Sequence, residues 1–142
     1  MLKVSKNFNL DEFVDPRFIQ ARGNKAIQLI DHRMVTMAQF CRDWFDVPTY
    51  INGFCFGHQF TESGLRYPGT TTGATFSQHF YGRADDLKFI GIAPEEVREE
   101  IRKNWTQFRE CGITTIEINT PTWVHVDCRW TGLDTLYEVP YK

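Results

Sequence analysis

The chain has 142 residues, 42% of them hydrophobic and 15% aromatic, which excludes a disordered polymer and suits one packed domain over residues 1–142. A chain of this length buries roughly 68–70% of the surface that its unfolded form exposes, enough for a single core. The net charge is −2 and the basic residues are scattered, so neither nucleic acid nor an anionic membrane is expected as a partner.

In chain order, Asn9 to Pro16 reads as one short helical turn stopped by Pro16. Asn24 then caps a long helix whose apolar positions Ile27, Ile30, Met34, Ala38, Cys41 and Phe45 recur every three or four residues as a core-facing stripe. Asp46-Val-Pro48 ends it, and Pro48 to Asn52 reads as a strand. Residues 53–76 are rich in Gly and Thr and read as a long loop, a length that tends to be functional. Gly69-Thr-Thr-Thr-Gly73 within it lacks the Gly-Lys-Ser/Thr ending of a phosphate loop. Arg83 to Phe89 form a second strand. Pro94, followed by Glu95 and Glu96, opens a second helix with Val97, Ile101, Trp105 and Phe108 on one face. Thr114–Asn119 and Trp123–Arg129 are strands joined by a Thr-Pro-Thr turn, and residues 135–139 add a short edge strand. The expected fold is α+β: a small antiparallel sheet, the long N-terminal helix and the second helix packed on it, with the open face free for a site.

No apolar run approaches the roughly 20 residues of a membrane helix. The opening MLKVSKNFNLDEF has no apolar core of a secretory signal, so synthesis in a cytoplasm without export is expected. Cys41, Cys55, Cys111 and Cys128 show no C-x-x-C spacing and are expected to be reduced.

The chemistry concentrates in Ser77-Gln-His79-Phe-Tyr-Gly82-Arg-Ala84-Asp-Asp86 and in Trp123-Val-His125-Val-Asp127. Two histidines and a carboxylate are the protein ligands of a catalytic zinc site, which keeps a further position for water. Side chains alternate across a strand. Trp123, His125, Asp127 and Arg129 therefore share one face of the last motif, opposite Val124, Val126 and Cys128. By the same parity Ala84 and Asp86 share a face, so Asp86, rather than Asp85, is the expected ligand beside His79 and His125.

The spacing S-x-H-x-x-G-x-A-x-D followed by W-V-H-V-D resembles the zinc D-alanyl-D-alanine carboxypeptidase family, which is related to the zinc fold of hedgehog signalling domains. The compact, phage-encoded members are the most similar. Phe8-x-Leu10-x-Glu12-Phe13, Glu62-Ser-Gly-Leu-Arg66 and Thr120 to Arg129 extend the likeness over most of residues 7–130. The resemblance implies Zn2+ on His79, Asp86 and His125, and hydrolysis of peptide bonds in bacterial cell-wall peptides. It also implies phage origin and a cell-wall peptide as partner; other virion proteins are expected as partners only under a virion-structural reading.

Amide hydrolysis needs a base to move the water proton to the leaving amine. The family places a Glu or His two or three residues before the final ligand, where this chain has Trp123 and Thr122. Glu117, on the preceding strand, is the favoured replacement. Asp127 is the other candidate, or else a partner that orients His125. Arg66 matches the family arginine that clamps a substrate carboxylate. Ser77 either hydrogen-bonds substrate or stabilises the turn before His79. The rival expectations are a virion structural or tail-associated protein that keeps the zinc fold without turnover, and a module that binds cell-wall peptide without cutting it.

Overall fold

The computed structural model describes residues 1–141. Leu10–Glu12 form a 3-10 turn in which the Asn9 N–H donates to the Glu12 carboxylate at 2.9 Å. Pro16 does not stop this turn, as the sequence suggests, but opens helix α1 (Pro16–Arg22) behind an Asp15 cap. Proline suits a first helical position because the N–H that it lacks would have no intrahelical partner there.

The long helix expected from Asn24 starts later. Residues Gly23–Leu29 form a 3-10 stretch, Ile30 is extended, and helix α2 runs over His32–Phe45 with Asp31 as its cap. The break has a tertiary cause. The Asp31 N–H donates to the Gly82 carbonyl at 2.8 Å, and a Cβ on Gly82 would sit 2.6 Å from the Leu29 oxygen. Gly82 has φ 65°, so it can both turn the chain and accept this close approach. Met34, Ala38 and Cys41 are buried as the apolar stripe requires, whereas Ile27, before the break, is exposed.

The sheet carries five strands: β1 (Thr49–Tyr50), β4 (Ala84–Phe89), β5 (Thr115–Ile118), β6 (Val124–Asp127) and β7 (Tyr137–Pro140). Their order is β1-β4-β6-β5-β7, antiparallel throughout except that β7 joins β5 in parallel. The expected 53–76 loop begins with a hairpin, β2 (Gly53–Cys55) and β3 (His58–Phe60), turning at Phe56 and Gly57, both with positive φ. The second helix is also divided. Helix α3 (Pro94–Lys103) ends at Asn104, which breaks helical geometry, and α4 (Trp105–Glu110) follows.

Helices α2, α3 and α4 cover one face of the sheet. Met34, Met37, Ala38, Val97, Ile101 and Phe108 pack there with Leu87, Phe89, Ile116, Val124 and Val126. Full burial of such side chains contributes roughly 1.5–3 kcal/mol each, the main drive for this layer. All four cysteines are free, and Cys128 lies in this apolar layer. The opposite sheet face is left to polar residues of β4, β5 and β6. Among the described residues no helix is long and apolar enough to cross a membrane.

Candidate metal centre

Ser77 caps a short 3-10 helix, Gln78–Tyr81, by accepting from the His79 N–H at 3.3 Å, so its hydroxyl stabilises the turn. That turn lifts His79 over the open sheet face. The β4–β6 register pairs Asp86 with His125 and Ala84 with Asp127, as the strand parity requires. His79, Asp86 and His125 are all buried, and one donor atom from each lies within 4.8 Å of the others. The His79 Nε2 is 3.2 Å from Asp86 Oδ2, and His125 Nδ1 is 3.1 Å from Asp86 Oδ1. This cluster could hold a metal ion.

The outer nitrogen of each ring is tied down. His79 Nδ1 is 2.9 Å from the Gly64 carbonyl, and His125 Nε2 is 2.7 Å from Asp127 Oδ2. Metal-binding histidines are held in this way, because the second hydrogen bond sets tautomer and ring angle. The Gly64 anchor explains the Glu62-Ser-Gly-Leu-Arg66 segment. Its Leu65 N–H donates to the Phe13 carbonyl at 2.8 Å, and a Cβ on Gly64 would collide with that same carbonyl. Only glycine permits the approach that delivers its oxygen to His79.

Asp127 is fully buried and gripped by Arg129, with Nε 2.9 Å from Oδ1 and Nη2 2.6 Å from Oδ2. Burial opposes its charge, but Arg129 and His125 outweigh it and hold the acid at about 2. Burial likewise opposes a charged His125 ring, yet the Asp127 and Asp86 carboxylates push it up to about 10. Metal binding there would release the Nδ1 proton. Burial also works against an ionised Asp86, but His79 and His125 hold it well below the usual carboxylate range.

The remaining candidates fall around this core. Continuing the β5–β6 register sets Glu117 across from His125, and Glu117 Oε1 is 3.7 Å from His125 Nδ1. It approaches the nitrogen that faces the cluster, whereas Asp127 sits behind the ring. Arg66 is nearly buried: Nε donates to the Glu62 carbonyl at 2.9 Å, Nη1 to the Thr72 carbonyl at 3.2 Å, and Nη2 is 3.7 Å from Asp86 Oδ2. A cleft of about 250 Å³ opens beside the cluster, lined by Arg66, Thr72, Asp86, Trp123, Phe60 and Lys88 among others.

Sequence reasoning missed three contributors. Arg129 shares the His125 face, and that parity was the signal for its grip on Asp127. Lys88 shares the Asp86 face in the same way. Burial draws the Lys88 amine down to about 8 against the pull of Asp86. The Gly64 carbonyl had no signal, since a backbone acceptor is found only by folding. No protein-family model, curated protein or solved structure matches this chain.

Proposed function

We propose that this protein is a zinc-dependent hydrolase of peptide bonds in bacterial cell-wall peptides, of the D-alanyl-D-alanine carboxypeptidase or endopeptidase type. The observation that carries the metal chemistry is the buried His79–Asp86–His125 group with both outer ring nitrogens anchored and a cleft beside Asp86. Two imidazole nitrogens and one carboxylate suit zinc better than the harder magnesium or calcium. The substrate class rests on the two motifs around His79 and His125 and their likeness to the peptidase family. A phage origin and a bacterial cytoplasm as the site of synthesis belong to the same reading.

Zinc bound there would polarise the scissile carbonyl and lower the pKa of its water to about 7. Glu117 takes the water proton on its carboxylate and returns it to the leaving amine. Asp127, clamped by Arg129, fixes the His125 ring so that Nδ1 faces the cluster. Arg66 adds positive charge on the cleft side of Asp86, where the carbonyl oxygen gains negative charge.

A second reading is favoured by one observation. The family's base position is occupied by Thr122 and Trp123, so the same fold serves equally as a metal-stapled virion component without turnover. Incubating purified protein with peptidoglycan and with D-Ala-D-Ala peptides, with zinc and with chelator, separates the two. Zinc-dependent, chelator-sensitive release of amines is the expected result. Stoichiometric zinc with no cleavage of either substrate would transfer the protein to the structural reading.

A further inference from the structure

Gln59, Phe60, Thr61, Glu62 and Ser63 follow one another in the chain, and all of them line the cleft beside the metal cluster, whereas no residue of β2 does. Side chains of a strand alternate between its two faces, so a cleft on one face would meet only every second residue. Lining by consecutive residues means that the cleft runs along the free edge of β3 and meets its backbone. The hairpin register says which groups that edge offers. The two-residue turn at Phe56 and Gly57 makes Cys55 and His58 a hydrogen-bonded pair, so the next pair, Phe54 and Gln59, is non-hydrogen-bonded, and Gly53 and Phe60 bond again. The N–H and C=O of Gln59 therefore point away from β2, and by the same alternation so do those of Thr61. None of these four groups takes part in the backbone hydrogen bonds that join the hairpin to the rest of the chain.

This edge is fixed next to the cluster. The Ser63 carbonyl, two residues beyond Thr61, accepts the Asp86 N–H at 2.8 Å, and the Ser63 N–H donates to Asn52 Oδ1 at 2.9 Å. Asn52 Nδ2 donates in turn to the Val14 carbonyl at 3.0 Å, and the Asn52 N–H to the Glu12 carbonyl at 3.1 Å. The segment therefore touches β4 at Ser63 and parts from it toward Gln59, which leaves the cleft between, with Asp86, Thr72 and Trp123 among its other walls. Exposed edges are commonly closed by proline or charged side chains, and His58-Gln59-Phe60-Thr61 carries no Pro, Lys, Arg, Asp or Glu.

We propose that an extended peptide pairs with the β3 edge as a third strand, its backbone bonded to the N–H and C=O groups of Gln59 and Thr61, and that this ladder leads it to the metal cluster. The inference rests on the peptidase reading only for the peptide nature of the ligand. A strand added in this way is held through its main chain, so affinity depends on its amides more than on particular side chains.

The test is an NMR titration of the full isotope-labelled chain, zinc-loaded and chelator-treated, with N-acetyl-L-alanyl-D-alanyl-D-alanine. The amide protons of Gln59 and Thr61 should move downfield as they gain acceptors, while those of His58 and Phe60, already bonded to β2, move least. Peptide binding that leaves Gln59 and Thr61 unmoved, or no binding at all, overturns the ladder. Thr61→Pro deletes one edge donor, and proline is tolerated there because that N–H faces no strand. It should weaken binding about 2- to 10-fold, the worth of one hydrogen bond, while Thr61→Ala binds as the wild type does. Wild-type affinity in folded Thr61→Pro, or an equal loss in Thr61→Ala, is fatal to a main-chain contact. Should Thr61→Pro not fold, Gln59→Pro takes its place, with Gln59→Ala as control. Movement of the two amides with protein concentration alone would assign the edge to a second copy of the chain, again against the proposal. Cleavage is read in the same samples from the resonances of the peptide. Ladder shifts without cleavage remove only the hydrolase reading, and cleavage without ladder shifts removes only the ladder.

Discussion

Asp85 and Asp86 are neighbours on β4, both buried, and they face opposite sides of the sheet. Asp85 enters the apolar layer beneath the helices, and neither of its carboxylate oxygens has a hydrogen-bond partner. Burial, with Asp86 adding to it, pushes its acid well above the usual carboxylate range. Asp86 meets His79, His125 and Arg66 and keeps its charge. Burial alone therefore does not decide what a buried carboxylate becomes; the partners across its face do. The same parity that makes one face a core makes the other a candidate metal centre.

The largest expected effect comes from breaking the polar face. Metal analysis of purified protein should find one zinc per chain, and His125→Ala should reduce it to background, because two ligands with no third rarely hold zinc. Stoichiometric zinc in that variant would place the ion elsewhere. Next, Glu117→Gln should retain zinc and fold while losing on the order of 10² to 10⁴ in hydrolysis rate. Asp127→Asn should instead weaken zinc by roughly 10- to 100-fold, since it acts through His125. If the two variants exchange these phenotypes, Asp127 is the base.

The apolar face gives a smaller effect of opposite sign. Asp85→Val replaces an unpartnered buried acid by a strand-forming apolar side chain, and should stabilise the fold by about 1–3 kcal/mol in urea denaturation. A loss of stability would mean that the Asp85 oxygens have a partner after all, and the contrast with Asp86 would collapse. The smallest effect belongs to a carboxylate near the surface. Arg33 holds Asp31 at about 2, below its unfolded value near 3.9, with burial opposing the shift. A depressed folded pKa contributes stability above the unfolded value and loses it as pH falls from about 4 to about 2. After allowance for solvent screening that contribution is about 1 kcal/mol. Asp31→Asn should therefore be less stable than wild type at pH 7, with the gap narrowing progressively as urea curves are taken below pH 4.

Much of this arrangement was legible before folding. Strand parity alone separated His125, Asp127 and Arg129 from Val124, Val126 and Cys128, and chose Asp86 over Asp85, because alternation is a local property of extended chain. Ligand chemistry pointed to His79, Asp86 and His125 because few residue types bind a metal. Positions that depend on distant segments were not legible. The helix read from Asn24 is broken at Ile30 because Gly82, far along the chain, accepts the Asp31 N–H. The second helix breaks at Asn104, and Pro16 begins a helix that it seemed to preclude. Glu117 reaches His125 only through the β5–β6 register, and Lys88 meets Ser63 only because the Asp86 N–H docks on that loop. Sequence by itself determined the α+β class, the faces and the metal-binding residue types, all of which follow from short-range periodicity and side-chain chemistry. Tertiary structure decided where the helices begin, which backbone carbonyl holds His79 and which cation lies in the cleft, because those contacts join segments whose meeting no local pattern encodes.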